Sequence, residues 1–184
     1  MGGWCVAGTK RAKGAEKEGS GKAAVEKGPS LADLYRRPGF LIRRAHQISV
    51  SLFMEEIGDL GVTTTQYGAM VVLSKRSDLD QAGLATLVGI DRSTTALVVS
   101  KLEQFGYLVR QDDPADKRRK VLALTDTGYE ILKRITPRAR KAQNRALEAF
   151  DNKEDAKKFI ELLEHFVDTF NSETRAPIYS RRQG

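Results

Sequence analysis

The residues best equipped for chemistry in this chain are cationic and hydroxylic, and they fall in short runs. The first run is Arg92-Ser93-Thr94 directly after Asp91, followed by Ala96, Leu97 and Lys101. A guanidinium and two short hydroxyls at the start of a helix can bond phosphate oxygens or base edges, where the helix terminus also offers unpaired N–H groups. Ala96 and Leu97 have no hydrogen-bonding group, so any base information they carry would come through contact with thymine methyls. The second run is Asp116-Lys117-Arg118-Arg119-Lys120. Asp116 stands two residues before Arg118 and is expected to hold that guanidinium by a charge-assisted bond. A preoriented Arg suits a narrow, electronegative minor groove, with Arg119 and Lys120 turned to the phosphate backbone.

A third group, Arg43, Arg44, His46 and Tyr67, is a candidate site for a small anion, since a guanidinium offers bidentate donors to carboxylate or phosphate. For at least one of the two arginines a solvated helix charge is the simpler reading. His46 shares a helical face with Ile42, Ser49 and Phe53 and reads either as a core histidine or as a ligand contact. With one cysteine and two histidines the chain cannot build a disulfide framework or a Cys/His zinc cluster, so no metal and no cofactor are expected. An enzyme built on His46 and a nearby carboxylate has no accompanying nucleophile and oxyanion donors, and no catalytic residue is assigned. Lys and Arg total 31 against 24 Asp and Glu, a net charge of +7 that favours a polyanionic partner, either nucleic acid or an acidic membrane surface. No apolar run approaches the roughly 18 residues of a spanning helix and the N-terminus lacks the order of a secretory signal, so a soluble, cytoplasmic protein is expected.

The elements that must position these groups follow from periodicity. Residues 1 to about 29 are rich in Gly, Lys, Glu and Ala, cannot bury enough surface to offset ordering entropy, and read as a flexible tail in which Cys5 is an unstructured thiol. Leu34, Leu41, Ala45, Ile48 and Leu52 mark one face of a long helix from Leu31 to about Ile57, with Pro38 and Gly39 breaking or kinking its start. Thr63 caps a second helix carrying Tyr67, Met70, Val71 and Leu73 to about Ser77. A short third helix spans Asp80 to Val88, and after Gly89-Ile90, Asp91 caps a fourth that runs to about Phe105, where Gly106 stops it. Thr95, Val98 and Leu102 point inward, leaving Ala96, Leu97 and Lys101 on the other side. Tyr107–Asp112 and Lys120–Thr125 form a hairpin with a basic tip. A fifth helix from Thr125 to about Phe150 is expected to kink at Pro137, and a sixth starts at Asp151 with Glu154 as capping-box partner.

Two short helices joined by a tight turn and followed by a cationic hairpin are the order of a winged helix-turn-helix, with its recognition helix from Asp91 to Phe105. The run through Gly83-Leu84-Ala85, Asp91-Arg92-Ser93-Thr94-Thr95, Leu102-Glu103, Gly106-Tyr107-Leu108-Val109-Arg110, Asp113-Pro114-Ala115-Asp116-Lys117-Arg118 and Leu124-Thr125-Asp126-Thr127-Gly128 resembles the MarR family of transcriptional regulators. The resemblance extends more weakly over Leu31 to Phe170. It implies that Asp116 and Arg118 are the wing's Asp-x-Arg pair, and that the chain is a homodimer whose two lobes enter successive major grooves of a palindromic operator in double-stranded DNA. Ala96 and Leu97 depart from the Thr-Arg pair often found in the family. The sixth helix supports a dimer independently: Phe159, Leu163, Phe166 and Phe170, widened by Ile160 and Val167, present a broader apolar face than a helix closing a monomer needs.

The resemblance also implies an effector, commonly a small aromatic anion held between the dimerisation helices and the winged lobe. The stretch from Arg37 to Gln47 is similar to regulators of aromatic-compound catabolism, some of which sense aryl acids or their coenzyme A thioesters. The expected fold is mainly α with a small β-hairpin wing: a winged helix-turn-helix lobe over 63–125, a helical dimerisation region over 30–62 and 126–171 that includes Leu34, and tails at 1–29 and 172–184. The expected function is that of a dimeric, sequence-specific repressor released from its operator by such an acid. The alternative is an effector-independent, weakly specific architectural DNA-binding protein of the same fold.

Overall fold

Pro38 divides the first helical stretch, because its missing N–H and fixed φ suit the first position of a new helix and not the interior of an old one. A short α1 (Leu31–Tyr35), capped by a Ser30–Asp33 box, therefore gives way to α2 (Pro38–Ile57). The computed structural model describes Gly28 and residues 30–113 and 116–178. The rest of the expected N-terminal tail with Cys5, Pro114 and Ala115 of the loop, and residues 179–184 lie outside the described residues.

The apolar stripe of α2 divides along its length. Phe53 and Ile57 are buried, whereas Leu41 and Ile48 are each 52% exposed. Thr63 and Gln66 form a reciprocal capping box that starts α3 (Thr64–Lys75). The Asp80 carboxylate accepts from the Gly83 amide at 2.8 Å and opens α4 (Gln81–Val88). Gly89, in the left-handed region at φ +72°, turns the chain into α5 (Arg92–Gln104). The axes of α4 and α5 differ by 109° across that break, within the range of a helix-turn-helix.

Beyond Gly106 the period changes to that of a strand. β1 (Leu108–Asp112) and β2 (Lys120–Leu124) pair antiparallel, with Leu108 opposite Leu124 and Asp112 opposite Lys120. The Leu122 amide donates to the Leu79 carbonyl at 2.7 Å, so the loop before α4 lies along the hairpin's edge. Thr125 caps α6 (Asp126–Leu147), which continues through Pro137. The last long helix, α7 (Lys153–Thr169), is capped by Asn152, whose side chain accepts from the Asp155 amide at 2.9 Å. The expected Asp151–Glu154 box is therefore displaced by one residue: Asn caps as well as Asp, and the chain uses the later of the two.

The core lies where these elements converge. Ile57 of α2, Met70 of α3, Leu84 of α4, Val99 and Leu102 of α5, Leu122 of β2 and Ile135 of α6 are all buried together. Helix α7 contributes no buried residue. The result is a mainly α fold with a two-stranded wing, as the periodicity predicted.

Candidate nucleic-acid interface and ligand cleft

Helix α5 is divided lengthwise between core and solvent. Thr95, Val98, Val99 and Leu102 are buried, and the Thr95 hydroxyl donates to the Asp91 carbonyl at 2.7 Å, which allows a polar residue to lie fully inside. Arg92, Ser93, Ala96 and Lys101 are exposed and Thr94 is half-buried, while Leu97 stands 73% exposed. The surface expected to face a groove is thus the one the fold leaves open.

Asp91 takes up part of the chemistry assigned to that surface. Its carboxylate accepts the Ser93 hydroxyl, the Thr94 amide at 2.9 Å and the Thr94 hydroxyl at 2.7 Å. These bonds, that from Ser93 foremost, hold its pKa far below the ordinary aspartate value. Each hydroxyl has one proton, and here both are given to Asp91, so Ser93 and Thr94 face the solvent as acceptors. They are suited to receiving an amino group from a base edge, and a phosphate oxygen would have to compete with Asp91 for their protons. Arg92 then supplies the cation of this helix end.

The wing corrects one expectation. Asp116 does not hold the Arg118 guanidinium; its carboxylate accepts from the Arg118 backbone amide at 3.0 Å and so shapes the turn, not the side chain. The physical reason is local, since a carboxylate two residues back reaches a main-chain amide without ordering a long side chain. Arg118 is left exposed at the tip, with no ion pair among the described residues. Arg119 and Lys120 are exposed, and each is also paired within the chain. Arg119 bonds the Asp113 carboxylate at 3.1 Å and the Asp78 carbonyl at 2.9 Å, and lies 3.5 Å from the Asp80 carboxylate that caps α4. Lys120 pairs with Asp112, its partner in the strand register, at 2.6 Å. Sequence reasoning missed this clamp because its acceptors, Asp78 and Asp80, are remote along the chain. Arg110 fixes the other side of the hairpin to the recognition helix by a two-point bond to Glu103, at 2.9 and 3.3 Å.

The candidate ligand residues separate. Tyr67 lines a cleft of about 500 Å³ between α2, α3 and α6, together with Ser49, Phe53, Thr64, Asn144 and Leu147. The rings of Phe53 and Tyr67 lie 5.7 Å apart at 45°. Arg43, Arg44 and His46 are exposed and are not on its wall; Arg44 donates to Gln47 at 2.9 Å and Arg43 to the same oxygen at 3.3 Å. His46 is therefore not a core histidine. Phe53 and Ser49, which share its helical face, are the residues that reach the cleft.

Helices α2 and α6, which flank this cleft, are tied by Lys141 to Glu56 and by Arg145 to Glu55 and Glu56, and Arg138 of α6 pairs with Asp59 in the turn that follows α2. The Lys141 ammonium is the main cause of the lowered pKa of Glu56. Along α7, Phe159, Leu163, Phe166 and Phe170 remain exposed, Phe166 at 46% and Phe170 at 49%, and Leu34 of α1 is likewise exposed.

A 109° helix pair, an exposed second-helix face and a hairpin clamped beside it define a DNA-binding winged helix. The chain belongs to the MarR family, whose model matches residues 62–120, and it is a transcriptional regulator of that family. It is 37% identical over 98 residues to the putative transcriptional regulatory protein for the hcr operon of Thauera aromatica, covering 53% of this chain and 59% of that one. The chain thus spans about three fifths of that relative's length. The PcaV regulator of Streptomyces coelicolor, solved in complex with its natural ligand, is 33% identical, with a TM-score of 0.66 over 76% of this chain and 98% of its own. BpsR of Bordetella bronchiseptica, solved to explain regulation of its DNA binding by 6-hydroxynicotinic acid, is 25% identical, with a TM-score of 0.69 over 77% of this chain and 99% of its own. No single helix among the described residues is long and apolar enough to cross a membrane.

Proposed function

We propose that this chain acts as a homodimeric repressor that binds a palindromic operator through Arg92, Ser93, Thr94, Ala96, Leu97 and Lys101 of α5 and Arg118 of the wing, and is released by a small aromatic acid or its coenzyme A thioester. Arg119 and Lys120 serve the wing's pose first and the phosphate backbone second. The observation that carries the reading is Leu97: a leucine 73% exposed on a helix whose opposite side is packed into the core, one turn before the exposed Lys101. An apolar side chain so placed is served by contact with a thymine methyl in a major groove. A dimer seated over two successive grooves also closes that DNA to other proteins, and repression follows most simply from occlusion.

The apolar faces of α1, α2 and α7 supply the dimer contact, with Leu34, Phe159, Leu163, Phe166 and Phe170 in it. Burying them against a second copy resolves an otherwise uncovered surface. The cleft at Tyr67 and Phe53 is walled by α2 and α6 on one side and α3 of the lobe on the other. An aromatic acid stacked there alters the angle between scaffold and lobe. The aromatic effector of BpsR supports this choice of ligand class. A preference of roughly 1 to 3 kcal/mol for the lobe spacing incompatible with DNA weakens operator binding about 5- to 150-fold.

The deciding experiment is selection of duplexes from a random pool by the purified protein, followed by competition with unselected duplex and titration with a panel of aryl acids. Recovery of a palindrome, a specificity ratio far above one and displacement by a panel member are expected. A ratio near one favours the architectural DNA-binding alternative.

A further inference from the structure

Residues 171–178, at the start of the expected C-terminal tail, are folded back. After a short 3-10 turn, Asn171–Glu173, the chain doubles back, and the Asn171 side chain receives it. Its amide nitrogen donates to the Ile178 carbonyl at 2.8 Å, and its amide oxygen accepts from the Ile178 N–H at 2.9 Å. An asparagine amide sets an N–H donor beside a carbonyl acceptor in one plane, so it pairs with both main-chain groups of a single residue as a neighbouring strand would. The loop from Asn171 to Ile178 is thereby closed, with Ile178 at a defined place.

That place is the elbow of the helix-turn-helix. Cγ1 and Cδ1 of Ile178 lie 2.8 Å from where a Cβ on Gly89 would sit, and the Ala176 carbonyl lies 3.7 Å from the same point. Gly89 thus answers two demands, the left-handed turn at φ +72° and the approach of Ile178. Asp91, the cap of α5, borders the same small cleft, which is also lined by Phe166 and Val167 of α7 and by Phe170 directly after it.

We propose that Ile178, held by Asn171, is a positioning residue for the recognition helix: a C-terminal strap that fixes the Gly89–Asp91 elbow to α7. The proposal rests on the DNA-binding reading above for its functional consequence, and on the contacts alone for its structural one. Helix α7 bears the apolar face assigned to the second copy, so the strap joins the reading head directly to the dimer scaffold. Without it each lobe is tied to the scaffold through the α2 and α6 side only and swings more freely, so the two recognition helices meet successive grooves in register less often.

The test uses the full chain with Ile178→Ala and Asn171→Ala, and with Ile178→Val, which keeps the branched contact, as rescue. In the free protein, amide hydrogen exchange at residues 89–95 is expected to accelerate about 5-fold or more in both alanine variants, to return toward the parent rate in the valine variant, and to stay unchanged along the α2–α6 contact. Unchanged exchange at 89–95 overturns the strap whatever the protein does with DNA. The second arm compares duplexes selected by the parent protein with copies in which one half-site is scrambled. The alanine variants are expected to lose about 5-fold or more of the preference for two half-sites while binding a single half-site as the parent does. An undiminished preference, or an equal loss on a single half-site, overturns the positioning role. If the parent selects no palindrome, the DNA-binding reading falls, and the exchange arm still decides the strap.

Discussion

Substituting Gly128 by alanine tests how the wing is seated on α6. A Cβ at this position would lie 2.1 Å from the Tyr107 carbonyl oxygen and 3.0 Å from its carbonyl carbon, both backbone atoms that cannot rotate aside. An ordinary carbon–oxygen contact is about 3.3 Å, so the start of α6 and the start of the hairpin must separate by roughly 1 Å. The same carbonyl accepts from the Thr125 amide at 3.1 Å, and the Thr125 hydroxyl donates to the Gly106 carbonyl at 2.6 Å while accepting from the Gly128 amide at 3.0 Å. A separation of that size takes the first of these bonds beyond hydrogen-bonding distance. One lost bond at about 1 kcal/mol and overpacking at about 1–3 kcal/mol give a destabilisation of about 2–4 kcal/mol, a large share of the roughly 5–15 kcal/mol that holds a domain folded. Urea unfolding followed by circular dichroism reads the change as a lower midpoint. Gly68→Ala is the control: in the middle of α3 its Cβ would meet only Val88, at 4.0 Å, and a small gain of up to about 1 kcal/mol is expected from helix propensity. A loss below about 1 kcal/mol in Gly128→Ala, or equal effects at the two glycines, would refute the argument.

Three further outcomes follow from the same structure. Arg118→Ala should weaken operator binding and make its logarithmic salt dependence shallower by about 0.9 for each phosphate no longer neutralised, whereas Arg119→Ala should weaken binding with a smaller change in slope, because Arg119 is engaged first by Asp113 and Asp78; equal slope changes in titrations from low to moderate salt would contradict the clamp. The pKa of Asp91 is lowered on folding from an ordinary value near 3.8, so its contribution to stability is complete above that value and is lost as pH falls through the folded pKa; Asp91→Asn keeps a cap acceptor and should flatten this acid limb, which thermal melts between pH 2 and 6 would show. Phe166→Glu, placing a charge on the apolar face of α7, should shift the protein toward monomer in sedimentation while leaving the helical signal intact, and a dimer as tight as the parent would exclude α7 from the interface.

The architecture was legible because each element announces itself locally. Thr63, Asp80, Asp91 and Thr125 are caps whose partners lie three residues on, and Gly89 lies between two helical patterns that cannot be joined straight. The inward face of α5 was equally legible, since a period of 3.6 leaves little choice once Leu102 is inside. What stayed hidden is pairing across distance. Arg118 and Arg119 are adjacent and chemically identical, yet one has no ion pair among the described residues and the other is anchored to Asp78 and Asp113, and only the fold brings Asp78 to the wing. The ligand residues divide for a similar reason: Arg43, Arg44 and His46 stand out by type, but the cleft is formed where α2 meets α3 and α6, and the residues that reach it, Ser49 and Phe53, signal nothing by type. The C-terminal fold-back is not legible in the sequence because Asn171 and Ile178 show no helical or strand period, and a side chain that pairs with a main chain seven residues away leaves no pattern to read. Local rules thus placed the reading head and its turn, and long-range contacts decide which cations remain free to meet DNA.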